Sequence, residues 1–374
     1  MKVIHINSNY IYTKLHGLLI DALNRISIIN LVYSPVFIGA KGNAISDQNI
    51  IVSECFLKYD RYLFDYKQKK IVNDILKRID FADINCIHAY TLFTDGNVAM
   101  KLSKSKKIPY VVAVRNTDVN LFFKKLVHLR RRGLKILENA NAVFFLSPQY
   151  RDFVYEEYVP KEMRDELYKK TYVIPNGIDD FWLNNIYYRN YGEIERKFKN
   201  KEIHLIYVGA ISKGKNISTT LQAIITMKSI GWNVKFTIIG PIKDTKVYQE
   251  IVDFPDADYV GPKEKDEIIT YLREADVFVM PSINETFGLV YAEALSQGLP
   301  VIYSKGQGFD GQFQEGEVGY HVDCKNANEI VSKIVDITNN YESISRGCIV
   351  GVSKFRWDDI AKKYKNIYEI IDKK

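Results

Sequence analysis

The sequence predicts an α/β protein with two Rossmann-like domains, each a parallel sheet covered by helices. Short apolar runs that are typical of buried strands alternate with amphipathic stretches of helical length. A length of 374 residues exceeds what one hydrophobic core usually organises. Turn-forming residues Pro175, Asn176 and Gly177 follow a strand-like run near mid-chain. We therefore predict a domain end there, followed by a polar linker over residues 183–201.

The composition is that of a globular protein with a modest positive charge. Hydrophobic residues make up 47% and charged residues 26%, and the formal net charge is +7. No run approaches the roughly 20 apolar residues that a membrane-spanning helix needs, and no signal-peptide pattern precedes the first strand-like run, so we expect a cytoplasmic protein. The four scattered cysteines indicate neither a zinc site nor a disulfide framework. The charge favours an anionic partner and leaves nucleotide, lipid headgroup and nucleic acid open.

Polar residues follow several predicted strands of the first domain. We predict strands over 2–6, 85–89, 108–114 and 142–146. Because the carboxyl ends of parallel strands share one edge of a sheet, polar residues that follow them are candidates for a site. Structural alternatives are helix capping in the first loop, a satisfied core histidine and an ion-paired arginine. The candidates are Asn9, Tyr10, His88, Arg115 and Asp118.

The first strand–helix turn lacks the glycines of a dinucleotide site. An enzyme that binds NAD or a flavin normally carries a G-x-G-x-x-G pattern at this turn. Here the turn and the predicted helix over 14–28 contain only Gly17. The sequence therefore gives no support for a nicotinamide or flavin cofactor.

A basic stretch over residues 121–137 has the pattern of a helix that could lie on a membrane. If the stretch forms one helix, its basic residues fall on one face. Such a face binds anionic lipid, and the alternative is a solvated helix that packs its leucines on the sheet. The candidate membrane contacts are Lys124, Lys125, Arg131 and Arg132.

The second domain is predicted to begin with a strand over 203–208 and a phosphate-binding turn. Gly209 lets a ligand approach the backbone, and Lys213 and Lys215 supply compact positive charge, which suits a diphosphate. A strand over 234–239 follows. A short strand and loop over 258–262 then carry Val260, Gly261 and Pro262.

The stretch from Pro281 to Pro300 joins two strand-like runs through a loop and a short helix. The helix should start at Gly288 and Leu289, just after Phe287, where unpaired N–H groups and the helix dipole attract phosphate. Glu285 precedes this start. Glu293 lies further along, where a carboxylate is better placed to accept hydrogen bonds from sugar hydroxyls. Taken alone, both glutamates also fit a solvated loop and helix surface.

The string from Glu285 to Glu293 resembles the E-x-F-G-x-x-x-x-E signature of the retaining glycosyltransferases of family 4, a GT-B group. Strings at 175–179 and 209–216 agree with it, although Ala210 stands where the family usually has Arg, and Arg115 where it usually has His. The resemblance implies a GT-B fold, with two Rossmann-like domains facing across a cleft. Residues 1–180, with a crossover helix at 355–374, would form the acceptor side, and residues 185–352 the donor side.

The same resemblance implies a function and site roles. It implies retaining transfer of a sugar from a UDP- or GDP-sugar to an acceptor hydroxyl, without metal, cofactor or nucleic acid. Lys215, Lys213 and the helix start would stabilise the leaving diphosphate, Glu293 would bind the ribose, and Glu285 would touch the transferred sugar. The loop over 260–262 would pass beside the nucleobase. From their places after predicted strands, Arg115 and His88 are candidates for catalysis, with Arg115 standing in for the family's His, and Asn9, Tyr10 and Asp118 are candidates for the acceptor side.

The family resemblance also suggests a cellular location and a class of acceptor, and two alternative functions remain. Carbohydrate or lipid-linked acceptors in surface polysaccharide or glycolipid assembly are expected, with the protein in the cytoplasm at the inner membrane face. One rival is another GT-B chemistry, such as a nucleotide-sugar epimerase. The other is a non-catalytic nucleotide-sugar or membrane-binding protein, which the departures at Ala210 and Arg115 make reasonable.

Overall fold

A computed structural model describes residues 1–43 and 47–373 of the chain. The chain divides into two compact units. The N-terminal unit comprises Met1–Leu146, Arg151–Pro175 and Trp357–Lys374, and the C-terminal unit comprises Ser147–Tyr150 and Asn176–Arg356. Across the described ranges, no helix combines the length and the apolar character needed to cross a membrane.

The N-terminal unit is built on a parallel sheet that has seven strands within the described residues. The strands are β1 (Lys2–Ile6), β2 (Ile29–Phe37), β3 (Ile50–Phe56), β4 (Cys86–Ala89), β5 (Tyr110–Ala113), β6 (Ala142–Phe145) and β7 (Thr171–Val173). Their order is β3-β2-β1-β4-β5-β6-β7, and every neighbouring pair is parallel. The winding reverses between β1 and β4, and ligands of doubly wound sheets bind at such a point.

Helices and short helical turns connect these strands. The helices are α1 (Leu15–Arg25), α2 (Phe64–Arg78), α3 (Thr94–Lys106), α4 (Arg130–Asn139), α5 (Pro148–Tyr158) and α6 (Lys161–Lys169). The single turns are Tyr10–Tyr12, Lys58–Tyr62, Asp118–Phe123 and Val127–Leu129.

The C-terminal unit repeats this design with six parallel strands in the part of the chain that is described. The strands are β8 (Glu202–Val208), β9 (Asn233–Ile239), β10 (Ala257–Gly261), β11 (Val277–Val279), β12 (Val301–Ser304) and β13 (Gly319–Val322). Their order is β10-β9-β8-β11-β12-β13, which is the Rossmann order. The helices are α7 (Asp180–Asn184), α8 (Tyr191–Lys199), α9 (Ile217–Ser229), α10 (Thr245–Val252), α11 (Lys265–Glu274), α12 (Leu289–Ser296), α13 (Ala327–Asn339) and α14 (Tyr341–Gly351).

The last helix, α15 (Trp357–Asp372), belongs to the core of the N-terminal unit. Its buried residues Ile360 and Tyr368 join the same hydrophobic cluster as Val3 of β1 and Leu23 of α1. The prediction of two Rossmann-like sheets, with a final helix that returns to the first, is therefore confirmed.

The polar stretch over 183–201, predicted as a linker, is ordered structure. Asn190 caps α8 by accepting a hydrogen bond from the Glu193 N–H at 3.4 Å. Arg189 is buried, and its guanidinium donates to four backbone carbonyls. The acceptors are Leu272 at 2.6 Å, Arg273 at 3.1 Å, Ala275 at 2.5 Å and Gln297 at 2.9 Å. The linker prediction was wrong because the stretch includes the end of α7 and all of α8, and its Arg189 is buried against helix ends.

Candidate functional site

The carboxyl edge of the C-terminal sheet carries the predicted donor-binding loops. Gly209 follows β8, and its N–H donates to the carbonyl of Ile239 at the end of β9, at 2.8 Å. The Gly240 N–H donates to the carbonyl of Gly261, the last residue of β10, at 3.0 Å. Because all these strands are parallel, the 260–262 loop and the loop after β11 leave from the same edge.

Two of the predicted catalytic residues meet at this edge. The Lys215 ammonium donates a hydrogen bond to the Glu285 carboxylate. The backbone joins their loops, because the Gly214 carbonyl accepts a hydrogen bond from the Ile283 N–H at 2.9 Å. Lys213, by contrast, has an exposed side chain on the first residue of the same turn. The structure thus fixes Lys215 beside Glu285 and leaves Lys213 in solvent.

Gln307 and Gly308 hold Glu285 from a third segment, and the sequence analysis gave neither a role. The Glu285 N–H donates to Gln307 Oε1 at 2.8 Å, and the Glu285 carbonyl accepts from the Gly308 N–H at 3.1 Å. A Cβ at Gly308 would lie 1.8 Å from the Thr286 carbonyl oxygen, so only glycine allows this approach. The available signal was three glycines within the six residues 306–311.

Gly288 shapes the start of α12. Its φ of +74° is the left-handed region, and a Cβ there would lie 2.4 Å from the Tyr291 ring. The Tyr291 hydroxyl donates to the Met280 carbonyl at 2.6 Å, which fixes that ring. Because α12 begins at Leu289, the N–H groups of Leu289 and Val290 have no acceptor within the helix. They form a positive helix end of the kind that binds phosphate.

Phe287 does not belong to a binding surface. The side chain is buried, with its ring centroid 5.6 Å from that of Phe355 and 6.3 Å from that of Phe309. The donor-contact prediction for its side chain was therefore wrong. Its apolar ring packs behind the loop and holds Glu285 and Gly288 in place.

Glu293 lies partly buried in the middle of α12. Burial raises the pKa of its carboxyl to about 7, against the lowering effect of Lys265, while Asp179 raises it further. Lys265 and Asp179 form an ion pair with each other. Glu293 is therefore a carboxyl whose charge changes near neutral pH, beside two residues that the sequence analysis did not assign.

One Asp-x-Asp triplet, Asp256 to Asp258, lies away from this edge. Asp256 forms an ion pair with Lys228 at 2.5 Å. The triplet enters β10 at its amino end, whereas Glu285 follows the carboxyl end of β11. The triplet is therefore separate from the candidate donor site.

A histidine and two carboxylates form another polar cluster near β12 and β13. The ligand atoms of Asp310, Glu315 and His321 lie within 4.8 Å of one another. His321 Nδ1 lies 2.9 Å from Asp310 Oδ1 and 3.2 Å from Glu315 Oε1. The Gly306 N–H donates to Asp310 Oδ2 at 2.7 Å. These bonds order the glycine-rich loop over 306–311, which supports Glu285.

The carboxyl edge of the N-terminal sheet holds a cavity of about 710 Å³. Its wall includes Asn9 after β1 and Asp118 after β5, and their role on the acceptor side stays a prediction. Other wall residues end or follow β2, β3 and β4: Pro35, Val36, Phe37, Phe56, Thr91 and Thr94. The switch point of this sheet therefore opens on a space large enough for a small molecule.

Asp118 is fully buried in the wall of this cavity. Its carboxylate accepts hydrogen bonds from the N–H groups of Leu92 at 3.0 Å, Phe93 at 3.1 Å and Arg115 at 2.8 Å. Burial raises the pKa of Asp118 to about 6, against the lowering effect of these three bonds. Its oxygens thus bind the turns that follow β4 and β5, which shapes the cavity.

Comparisons with known proteins agree with this architecture. Residues 193–346 match the family model described as Glycosyl transferases group 1. The chain is similar to alpha-monoglucosyldiacylglycerol synthase of Acholeplasma laidlawii, with 24% identity over 363 residues, 91% of this chain and 89% of that one. Its structure is similar to sucrose-phosphate synthase from Thermosynechococcus elongatus, with a TM-score of 0.72 at 17% identity, over 99% and 98% of the two chains. It is also similar to Anabaena HepE in complex with UDP and glucose, with a TM-score of 0.65 at 14% identity, over 98% of both chains.

The fold is GT-B. The matched family model covers β8 to β13, and therefore Lys215, Glu285 and Glu293. The family model and the relatives support glycosyl transfer as the activity of this GT-B protein.

His88 and Tyr10 lie in the core of the GT-B protein's N-terminal unit. The His88 ring has no exposed surface, its Nδ1 lies 2.6 Å from the Tyr368 hydroxyl, and burial holds its pKa well below the usual range. Tyr10 packs with Ile20 and Val32, and burial raises its pKa to about 12. A residue that touches substrate needs exposed surface, so the catalytic prediction for His88 and the acceptor prediction for Tyr10 were wrong. Tyr12 lines the cavity instead of Tyr10.

Arg115 lies at the end of β5 and is partly buried. Burial raises the pKa of the nearby Tyr364 hydroxyl of α15, and the Arg115 guanidinium lowers it. The Nη1 atom of Arg115 is buried and has no hydrogen-bond partner in the described part of the chain. The side chain therefore has an unused donor, and its role at the transferred sugar stays a prediction.

The basic stretch over 121–137 is not one helix. A π-helical turn over Asp118–Phe123 is followed by a 3₁₀ turn over Val127–Leu129, and α4 begins only at Arg130. The adjacent Phe122 and Phe123 rings both contact Phe93, with centroids 4.5 and 5.1 Å from its own. The chain leaves regular helical geometry where both rings turn inward. The single basic face predicted from helical spacing was therefore wrong.

The four predicted membrane contacts also differ in their surroundings. Arg132 Nη1 lies 3.1 Å from Asp65 and donates to Asn97 at 3.1 Å, so it is engaged within the unit. Lys124, Lys125 and Arg131 have exposed side chains. These three of the four therefore present positive charge at the surface, with the Lys124 ammonium 5.9 Å from the Phe153 ring centroid.

Proposed function

We propose that this protein is a retaining glycosyltransferase that moves a sugar from a nucleotide diphosphate sugar to an acceptor hydroxyl. The observation that carries the proposal is the contact between Lys215 and Glu285 at the carboxyl edge of the C-terminal sheet. The Lys215 ammonium can bind the leaving diphosphate, and the Glu285 carboxylate can contact the transferred sugar. The start of α12, at Gly288, contributes to the same edge.

Lys215 and α12 supply the positive charge that this reaction needs. Negative charge grows on the diphosphate as the bond to the anomeric carbon breaks, and fixed donors aimed at that charge lower the barrier. The ammonium of Lys215 has three protons, so it can hold Glu285 and still donate to a phosphate oxygen. The free N–H groups of Leu289 and Val290, at the positive end of the α12 dipole, add further hydrogen-bond donors for the diphosphate. In this proposal no metal ion or cofactor takes part.

Glu293 and the 260–262 loop complete the proposed donor site. The ionised Glu293 carboxylate accepts hydrogen bonds from the ribose hydroxyls, and the loop at Gly261 lies beside the base. Support comes from the family model over residues 193–346 and from HepE, whose solved complex contains UDP and glucose. We take a UDP- or GDP-sugar as the donor.

We further propose a lipid-linked or carbohydrate acceptor and a place at the inner face of the membrane. Similarity to alpha-monoglucosyldiacylglycerol synthase supports a role in glycolipid or surface polysaccharide assembly. The exposed Lys124, Lys125 and Arg131 give the cytoplasmic protein a basic surface for anionic lipid.

A donor panel tests the proposed function. The purified protein is incubated with UDP-, GDP- and ADP-sugars, and release of the nucleoside diphosphate is measured with the anomeric configuration of the freed sugar by NMR. We expect turnover of one donor, with the first-formed sugar in the configuration of the donor. Tight nucleotide-sugar binding without turnover would indicate a binding protein, and an inverted product would exclude retention.

A further inference from the structure

Resting on the proposed function, we propose that the cavity of the N-terminal unit binds an amphiphilic acceptor through a long hydrocarbon chain and a phosphate group. The cavity lies at the carboxyl ends of β1 to β5. Its wall chemistry changes across the sheet, and that change identifies the ligand.

The apolar end of the cavity lies beyond β2 and β3. Val36 and Phe37 end β2, Phe56 ends β3, and Phe64 begins α2. The segment after β5 reaches this end, because the Phe122 ring lies edge-on to Phe64 with centroids 6.1 Å apart. These aliphatic and aromatic groups offer no hydrogen-bonding atoms to a ligand, and the Lys67 ammonium lies over the Phe56 ring at the edge of this apolar surface. A hydrocarbon chain is the matching occupant.

The polar end of the cavity lies at the switch point between β1 and β4. Ser8 and Asn9 follow β1, Thr91 follows β4, and Thr117 follows β5. Their hydroxyl and amide groups can bind a hydroxyl of the ligand. The acceptor hydroxyl therefore belongs at this end, on the edge of the sheet where sites of this fold form.

Cations in the wall select an anionic ligand. Lys58, Arg61 and Lys67 contribute to the wall, and Asp118 is its one carboxylate in the described chain. Asp118 already accepts three backbone hydrogen bonds. Lys67 lies 4.5 Å from the Phe56 ring centroid, and burial lowers its pKa against the raising effect of Asp95, so a phosphate would add an anion beside a poorly solvated cation.

An apolar surface beside the cavity fits entry from a bilayer. Tyr59, Tyr62 and Leu63 are 78%, 71% and 62% exposed, and Tyr62 is itself part of the cavity wall. Clustered exposed aromatic and aliphatic residues next to cations are typical of contact with a membrane interface. The chain of a membrane-embedded phosphate amphiphile could pass from lipid into the cavity across this surface.

Equilibrium dialysis with three soluble probes tests the proposal. The probes are dodecyl phosphate, 1-dodecanol and butyl phosphate, each below its micelle or solubility limit and titrated against the full-length protein. We expect dodecyl phosphate to bind at least tenfold more tightly than dodecanol and at least a hundredfold more tightly than butyl phosphate. Equal binding of the two phosphates would show that the cavity does not take the chain, and equal binding of the two dodecyl probes would remove the phosphate from the proposal.

Matched variants locate the binding. Leu121→Trp fills the cavity and should weaken dodecyl phosphate at least tenfold, whereas Val350→Trp, on an exposed residue of the C-terminal unit, should not. Lys67→Met should reduce the preference for dodecyl phosphate over dodecanol, whereas Lys69→Met, exposed on the same helix, should keep it. Circular dichroism confirms that each variant is folded. Unchanged binding in folded Leu121→Trp would overturn the proposal.

Donor turnover separates this inference from the proposed function. Donor hydrolysis of the unmodified protein, without chain-length dependence in the dialysis, would overturn the cavity proposal and leave the transferase intact. If binding depends on both the hydrocarbon chain and the phosphate of the probe but no donor is turned over, the transferase proposal would be overturned. The cavity would then remain a lipid-phosphate site.

Discussion

Lys215 and Glu285 form an ion pair across 70 positions of the chain, between the loops that follow β8 and β11. Their side chains are 26% and 11% exposed, so the pair is poorly solvated. Removing either partner would leave the other charge partly buried and unpaired, which is costly. The pair therefore presets the direction of the ammonium toward the edge where the diphosphate is proposed to bind.

Replacing Lys215 should impair catalysis far more than replacing Lys213. In Lys215→Met the leaving diphosphate loses a fixed positive charge, and loss of one such group typically lowers kcat by about 10²–10³-fold. Lys213→Met is the matched control, because that lysine lies two residues away in the same turn with its side chain in solvent. Steady-state kinetics with the active donor measures both. Equal losses in the two variants would contradict the assignment of Lys215.

Replacing Gly288 by alanine should weaken donor binding and stability together. An L-residue at a φ of +74° costs about 1–2 kcal/mol, and the new Cβ would collide with the Tyr291 ring. Gly214→Ala is the control, since a Cβ at Gly214 meets nothing within 4 Å. Urea unfolding and nucleotide titration by calorimetry measure the two effects. If Gly288→Ala bound nucleotide normally, the start of α12 would not be the phosphate site.

Donor affinity should rise with pH between 6 and 8 because of Glu293. Burial raises the pKa of this carboxyl to about 7. Only in the ionised form are both carboxylate oxygens free of a proton and able to accept hydrogen bonds from the two ribose hydroxyls. At pH 6 about one molecule in ten is ionised, so the donor Kd should be about tenfold weaker than at pH 8. Glu293→Gln should flatten this dependence. A pH-independent Kd in the unmodified protein would place the ribose elsewhere.

The same carboxyl should make the fold less stable as pH rises. The pKa of Glu293 in the folded protein lies above its usual value of 4.5, so the folded state binds the proton more tightly than the unfolded state. Stability therefore falls between pH 4.5 and about 7. Thermal unfolding of the unmodified protein and of Glu293→Gln across this range should converge at low pH and diverge at high pH.

Sequence patterns predicted much of the donor side because its chemistry lies in short strings. Glu285, Gly288 and Glu293 stand within nine residues, and the parallel sheet explains why Lys215 meets them. The role of Gln307 was not predicted, because a glutamine that accepts a hydrogen bond from one backbone N–H has no characteristic sequence pattern. Contacts of this kind arise only when separate loops fold together.

The acceptor side was harder to predict. The strands β2 and β3, whose ends line the cavity, were not predicted, so the cavity itself had no sequence signal. Polarity also misled, since His88 is polar and yet fully buried against aromatic rings. Helical spacing misled over 121–137 because tertiary packing of adjacent phenylalanines outweighed local propensity.

Replacing Arg189 should loosen α12 and thereby weaken donor binding from a distance. Its guanidinium binds carbonyls at the carboxyl end of α11 and, through Gln297, just beyond the end of α12. The carboxyl ends of helices carry partial negative charge and unpaired carbonyls, so one guanidinium provides hydrogen-bond donors to the ends of both α11 and α12. In Arg189→Met several buried carbonyls lose their donor, and we expect the free energy of unfolding to fall by about 3 kcal/mol.

Arg196→Met is the control for Arg189→Met, because Arg196 is exposed on α8 and its side chain donates to the Gly192 carbonyl of the same helix at 3.2 Å. Urea unfolding gives the stability change, and calorimetry below the unfolding transition gives the donor Kd. A destabilised Arg189→Met with an unchanged Kd would show that the arginine supports the fold alone. A donor Kd weakened severalfold in folded Arg189→Met would show that the arginine also holds α12 in position for the diphosphate. The arginine cannot act by direct contact, because its side chain is buried at the carboxyl end of α12 and Gly288 lies at the other end.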